Sequence, residues 1–153
     1  MKGVALYLAL VLGVFVALGL FVLKGVVPIK AGPLRLIVYC GLWGGVGGVT
    51  YCLRGIYLNA CVRQRWDDVW LPWYYIRPLV SCITGAISCL FLMGGLIVLQ
   101  AERDVAASNF VFYALAFIAG LNVDRFLQKI EGIAHSTWGL EKSRTSEKGG
   151  DDA

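Results

Sequence analysis

Three ionisable residues at the ends of long apolar stretches could form an ion pair. Arg54 follows the second apolar stretch, Arg77 precedes the third and Asp124 follows the fourth. If every stretch crosses a bilayer, all three residues reach the same membrane face, because each crossing reverses the chain. Ionisable groups at membrane depth usually pair or face a polar cavity. We therefore expect Asp124 to pair with Arg54 or Arg77 and to hold the helix ends together. The alternative is that each side chain extends separately to the lipid headgroups.

Hydroxyl side chains form a second polar group, within the third apolar stretch. Ser81, Thr84 and Ser88 recur at intervals of three and four residues, which places them on one face of a helix. Their hydroxyls commonly donate to backbone carbonyls of the same helix or of a neighbouring one. Copies of this face in an oligomer could instead line a polar path through the membrane. The first interpretation is favoured.

Aromatic residues are concentrated between the second and third apolar stretches. They are Trp66, Trp70, Trp73, Tyr74 and Tyr75. The tryptophans fall at i, i+4 and i+7, which predicts a short helix lying in the headgroup plane as an interfacial belt, ended or kinked by Pro72. An aromatic ligand cage is the alternative, and the belt is the commoner cause of such a cluster.

The sequence contains no pattern that indicates catalysis or metal binding. His135 has no partner motif, and the five cysteines include no CxxC pair, so we interpret the cysteines as apolar packing residues. Nucleophile-elbow, phosphate-loop and dinucleotide motifs are absent from the sequence, and no cofactor is expected. The basic residues stand at helix ends rather than in runs, which argues against nucleic-acid binding.

Four apolar stretches carry these residues. Hydrophobic residues make up 58% of the chain and the mean hydropathy is +0.70, well above ordinary soluble composition. Because a spanning helix needs about 20 apolar residues, we predict an all-α membrane protein with four transmembrane helices. Their expected bounds are 4–23, 34–53, 77–99 and 108–127, within a single domain over 1–140. Phe110–Val123 is short for a span, so three spans with a re-entrant piece are the alternative.

The C-terminal part changes character after the fourth stretch. Apolar residues recur at helical spacing among charged ones, which predicts an amphipathic helix over about 125–140. Residues 141–153 are polar, mixed in charge and free of large apolar side chains, which predicts a disordered cytoplasmic tail.

Small residues at regular spacing predict close helix packing, because lipid offers helices no hydrophobic drive to associate. They are Ala9, Gly13 and Ala17 in the first stretch, Gly41, Gly44, Gly45 and Gly48 on one face of the second, and Gly120 in the fourth. We expect these contacts mainly within one chain. A seam between copies of the chain is the alternative.

The basic residues also predict an orientation. With both termini in the cytoplasm, ten of the 14 Lys and Arg residues lie on the cytoplasmic side, which satisfies the positive-inside rule.

Two segments in the second half of the chain carry a family resemblance. Trp73-Tyr-Tyr-Ile-Arg-Pro78 gives a W-Y-x-x-R-P helix start, and Ala119-Gly-Leu-Asn-Val-Asp-Arg125 gives an A-G-x-x-x-D-R helix end. This combination resembles small multi-span bacterial membrane proteins of unassigned function. The resemblance implies a bacterial inner-membrane location and transfers no catalytic residue.

These observations favour a non-enzymatic polytopic protein, a scaffold or membrane-acting effector that self-associates or docks a protein partner at its cytoplasmic face. The expected partners are the lipid bilayer, a homo-oligomer and a cytoplasmic or membrane protein. A small oligomeric pore or transporter with a Ser/Thr-lined path is the alternative. An enzyme acting on lipid at the inner interface is the least favoured, because an acid, base and nucleophile set is missing.

Overall fold

The computed structural model describes residues 2–24, 32–64, 68–94 and 109–139, and within these ranges it contains helices and no strand. The helices are α1 (Lys2–Leu23), α2 (Pro33–Tyr57), α3 (Leu71–Met93), α4 (Asn109–Leu121) and α5 (Val123–Trp138). A π-helical turn, Leu58–Val62, continues α2, and a 3-10 turn, Asp68–Trp70, leads into α3. The predicted tail over 141–153 lies outside the described residues.

Three helical segments are long and apolar enough to cross a membrane: Gly3–Val22, Pro33–Val62 and Leu71–Met93. A fourth is added only if α4 and α5 together count as one span. The prediction of one continuous helix over 108–127 is wrong, because the chain bends by 107° between α4 and α5. Asn122 leaves the helical conformation at the bend, with φ −122° and ψ 53°. The predicted amphipathic helix is present as α5.

The third helix begins at Leu71 rather than at residue 77. Pro72 stands in its first turn, where the missing N–H would have no helical partner, and Pro78 lies inside the helix. The three tryptophans therefore do not share the predicted separate helix, since Trp73 already belongs to α3 and Trp70 ends the 3-10 turn before it, while Trp66 lies outside the described residues. The predicted end of this span, at residue 99, lies outside the described residues.

The central helix of the bundle is α2, which packs against α1, α3 and α4. A Cβ atom at Gly44 would lie 2.5 Å from the carbonyl oxygen of Ser81 and 2.7 Å from the Cα of Gly85. A Cβ at Gly120 would overlap the carbonyl oxygen of Gly44. We call Gly44, Gly85 and Gly120 the glycine crossing, because the backbones of α2, α3 and α4 meet there.

The glycines of α2 contact three neighbouring helices, and they do not all lie on one face as predicted. Gly41, Gly44 and Gly48 lie against α3. Gly45 instead lies between Phe15 of α1 and the thiol of Cys82 in α3. Gly47, which was not predicted, packs against α4, where a Cβ would be 2.9 Å from the backbone nitrogen of Leu121.

The small residues of α1 do not form the predicted contact within the chain. Ala9, Gly13 and Ala17 are all exposed, and a Cβ at Gly13 would have no neighbour within 4 Å. The buried side of α1 carries larger residues, Val4 and Leu8, which join a core with Val49, Cys52, Ile56 and Tyr74. The glycines are on α2 at this interface, so α1 contributes bulky side chains such as Phe15.

Candidate functional site

An ion pair joins α3 to the start of α5. Arg77 Nη1 donates to Asp124 Oδ2 at 2.9 Å. The Arg77 side chain is 5% exposed, whereas that of Asp124 is 74% exposed. Asp124 lies in the first turn of α5, directly after the bend, so the pair fixes the point where the chain turns away from α4. Arg54, the other predicted partner, is exposed and forms no ion pair within the described part of the chain.

Two aromatic rings complete the surroundings of Arg77. Its guanidinium carbon lies 5.0 Å from the ring centroid of Tyr51 and 5.1 Å from that of Trp73. A cation over an aromatic face is stabilised by about 0.5–2 kcal/mol, more where water is excluded. The Nε atom of Arg77 is buried without a hydrogen-bond acceptor in the described ranges. The buried charge is thus stabilised by one carboxylate and two rings.

The predicted hydroxyl face of α3 is buried inside the bundle. Ser81 donates to the carbonyl oxygen of Gly120 at 3.0 Å, which links α3 to α4 beside the glycine crossing. Thr84 donates to Val80 at 2.8 Å and Ser88 to Gly85 at 2.7 Å, both within α3. Within one chain, all three hydroxyl residues are thus buried in the bundle, and the polar path between copies of the chain stays a prediction.

Within the predicted aromatic belt, some residues are exposed and others are buried in the bundle. Trp70 and Tyr75 are exposed, at 58% and 46%, as an interfacial belt requires. Tyr74 is buried, and Trp73 is half-buried against Arg77, so both depart from the prediction. The cause is the early start of α3, whose helical period turns Trp73, Tyr74 and Arg77 towards α2. Trp66 lies outside the described residues.

A cavity of about 470 Å³ opens beside the rings that hold Arg77. We call it the arginine cavity; it is lined by Tyr51, Arg54, Gly55, Leu58, Asn59, Arg63, Trp70, Trp73 and Tyr74. Tyr51 and Trp73 belong both to this lining and to the surroundings of Arg77. Sequence reasoning missed Asn59 and Arg63, which lie on and directly after the π-helical turn. They could have been predicted from the sequence, because polar residues recur about once per helical turn after Arg54.

The described ranges contain no cluster of side chains that could bind a metal ion. No group of three or more His, Cys, Asp or Glu side chains comes together there. Cys40, Cys52 and Cys89 are buried as free thiols, and Cys61 is exposed. Comparison with models of known protein families, with curated proteins and with solved structures finds no match.

Proposed function

We propose that this protein is a non-enzymatic inner-membrane scaffold of a bacterium, with both termini in the cytoplasm, that docks a protein partner or a second copy on α5. The observation that carries the proposal is the 107° bend between α4 and α5, with Asp124 held to Arg77 directly after it. The bacterial location follows from the family resemblance, and the orientation follows from the basic residues.

The surface of α5 has two unlike sides. Val123 is buried at its start, and Phe126, Ile130 and Ile133 follow at helical spacing as half-buried residues. Gln128 and His135 are exposed on the opposite side. Such a helix needs a membrane surface under its apolar side, since the bundle contacts α5 chiefly through α3 and α4. Its polar side then faces the cytoplasm, where a partner can reach it.

The depth of α5 agrees with this placement. A Cβ at Gly48 would lie 3.5 Å from the carbonyl oxygen of Arg77, so these two residues are level across α2 and α3. From Gly48 back to Pro33, α2 covers roughly 22 Å at 1.5 Å per residue, most of a hydrocarbon core of about 30 Å. On this placement the ion pair and the start of α5 lie roughly 8 Å inside the inner boundary of the hydrocarbon core, a depth usual for an interfacial amphipathic helix.

Photo-crosslinking in cells tests the docking surface. A photoreactive amino acid at Gln128 should give a protein adduct of discrete mass, because this side chain faces the cytoplasm. The matched control is Leu10, which is 63% exposed on α1 and faces lipid in this arrangement. The Leu10 probe should give no protein adduct.

Three results would contradict the proposal. Release of the protein from membranes by alkaline carbonate would rule out insertion. Absence of a protein adduct from Gln128 in membrane-inserted protein would rule out docking on α5. An adduct from Leu10 that contains two copies of the chain would assign self-association to α1 instead.

A further inference from the structure

We propose that the arginine cavity binds the phosphate group of an anionic phospholipid from the cytoplasmic leaflet. The inference rests on the proposed membrane insertion, and it adds a ligand site distinct from the docking surface on α5. Four properties of the cavity support this ligand: its charge, its aromatic lining, its depth and its size.

The first property is positive charge without an acidic partner among the described residues. Arg54 and Arg63 both line the cavity and are exposed, and neither side chain forms an ion pair or hydrogen bond in the described part of the chain. A guanidinium group presents a planar fork of donors that fits phosphate oxygens in pairs. Two such groups around one cavity repel each other until an anion lies between them. The Asn59 amide supplies a further donor to the same space.

The second property is the aromatic lining, which disfavours a choline-type headgroup. An aromatic cage for a quaternary ammonium needs ring faces that are free of other cations. Here the Arg77 guanidinium already lies over Tyr51 and Trp73, the two rings shared with the cavity. Arg54 and Arg63 would also repel an ammonium group. The lining therefore favours a ligand with net negative charge.

The third property is the depth of the cavity. Arg54 stands 21 residues beyond Pro33, the first residue of α2. At 1.5 Å per residue, α2 covers roughly 31 Å between them, which matches a hydrocarbon core of about 30 Å and places Arg54 at its inner boundary. The headgroup layer is about 5–8 Å thick on each side of the bilayer, so Arg54 reaches lipid phosphates. The exposed indole of Trp70, at the same end of α3, is typical of this layer.

The fourth property is the size of the cavity. A volume of about 470 Å³ lies inside the range of roughly 300–1,000 Å³ usual for small-molecule sites. Leu58 and the rings supply apolar wall for the glycerol backbone, and the arginines supply the phosphate contacts. A lipid explains this mixture of walls better than free inorganic phosphate, which has no apolar part.

The test uses the purified full-length protein in detergent, titrated with short-chain phosphatidylglycerol and followed by native mass spectrometry. Phosphatidylcholine of the same chain length and sodium phosphate are the comparison ligands. Wild-type protein should bind phosphatidylglycerol at least about tenfold more tightly than phosphatidylcholine. Arg54→Gln and Arg63→Gln should each weaken that binding about tenfold, because each removes one charge-assisted contact.

Arg35→Gln is the matched control. Arg35 is also on α2, over the ring of Tyr39 at 5.8 Å, and lies 19 residues, or roughly 28 Å, from Arg54. The Arg35→Gln substitution removes the same charge at the other end of α2. It should leave phosphatidylglycerol binding within twofold of wild type. The thermal midpoints of Arg54→Gln and Arg63→Gln in detergent should match that of wild type, since neither side chain has a partner in the described ranges.

Equal binding of phosphatidylglycerol and phosphatidylcholine would overturn the proposal, and so would an equal loss from Arg35→Gln. Displacement of phosphatidylglycerol by an equal concentration of sodium phosphate would assign the cavity to free phosphate instead. Binding in detergent needs neither a bilayer nor a partner, so its failure is distinguishable from failure of the docking surface.

Discussion

Arg77 contributes to the structure through its charge and through its flat surface. The guanidinium is almost fully buried, pairs with Asp124 and lies between Tyr51 and Trp73. The carboxylate of Asp124 is largely exposed, so water screens its side of the pair. The two residues should therefore differ in what their loss costs, although they share one ion pair.

Replacing the pair should show this difference. We expect Asp124→Asn to lower the free energy of unfolding in detergent by about 1 kcal/mol, since its charge is mostly solvated. Arg77→Gln should lower it by about 3 kcal/mol, because the ion pair and both cation–ring contacts are lost. In the double variant the losses should fall short of additivity by at least about 0.5 kcal/mol. Additive losses would show that the pair does not stabilise the bundle.

The pair itself could be predicted from sequence, because opposite charges at the ends of apolar stretches have few other partners. The aromatic surroundings of Arg77 could not. They depend on α3 starting at Leu71, and the prolines at 72 and 78 suggested a later start. One shifted boundary changes which side of the helix Trp73 and Tyr74 occupy, so the residues expected at the interface lie inside.

At the scale of the helices, the glycines of α2 and α1 differ in their surroundings. Gly44 lies at the glycine crossing, where its neighbours are backbone atoms that cannot rotate away. Gly13 lies on an exposed side of α1 with open space around it. The two positions therefore form a natural pair for measuring what close backbone approach contributes.

We expect Gly44→Ala to destabilise the protein by about 3 kcal/mol, because the added methyl group forces α2, α3 and α4 apart. Gly13→Ala should be neutral or stabilising by up to about 1 kcal/mol, since alanine favours the helix. Thermal or denaturant unfolding in detergent measures both variants. A comparable loss from Gly13→Ala would mean that this side of α1 packs against a second copy.

The sequence predicts that the helices pack closely, but not which helices contact each other at each glycine. The glycine spacing of α2 indicated close contacts, as found, but not how those contacts divide among three neighbours. The bend after α4 could not be predicted from hydropathy, because apolar residues continue beyond it at Val123 and Phe126. The break depends on Asn122 leaving the helix and on Asp124 reaching Arg77, a partner 47 residues earlier.

For the whole molecule, the proposed orientation places the π-helical turn after α2 in the cytoplasm. Cys61 lies on that turn and is exposed, Cys40, Cys52 and Cys89 are buried, and Cys82 is partly buried in α3 with its thiol against Gly45. A membrane-impermeant maleimide should therefore label the protein only after spheroplasts are permeabilised. Cys61→Ser should abolish the label.

The control for this experiment is a cysteine at the opposite end of the bundle. Lys24 is exposed directly after α1, so Lys24→Cys in the Cys61→Ser background should be labelled in intact spheroplasts. Labelling of Cys61 in intact spheroplasts, or protection of the cysteine at 24, would reverse the orientation. The three long helices would remain as described, because their bounds do not depend on which side is inside.

The ion pair also imposes an order on synthesis. Arg77 leaves the ribosome 47 residues before Asp124. At about 5–20 residues per second, the arginine waits roughly 2–10 s for its carboxylate. During that interval the Arg77 charge lacks its carboxylate partner, and α4 is not yet present to close over Gly44. The nascent chain thus completes its bundle only when the final helix emerges, so premature truncation within α4 should leave a product that quality-control proteases remove.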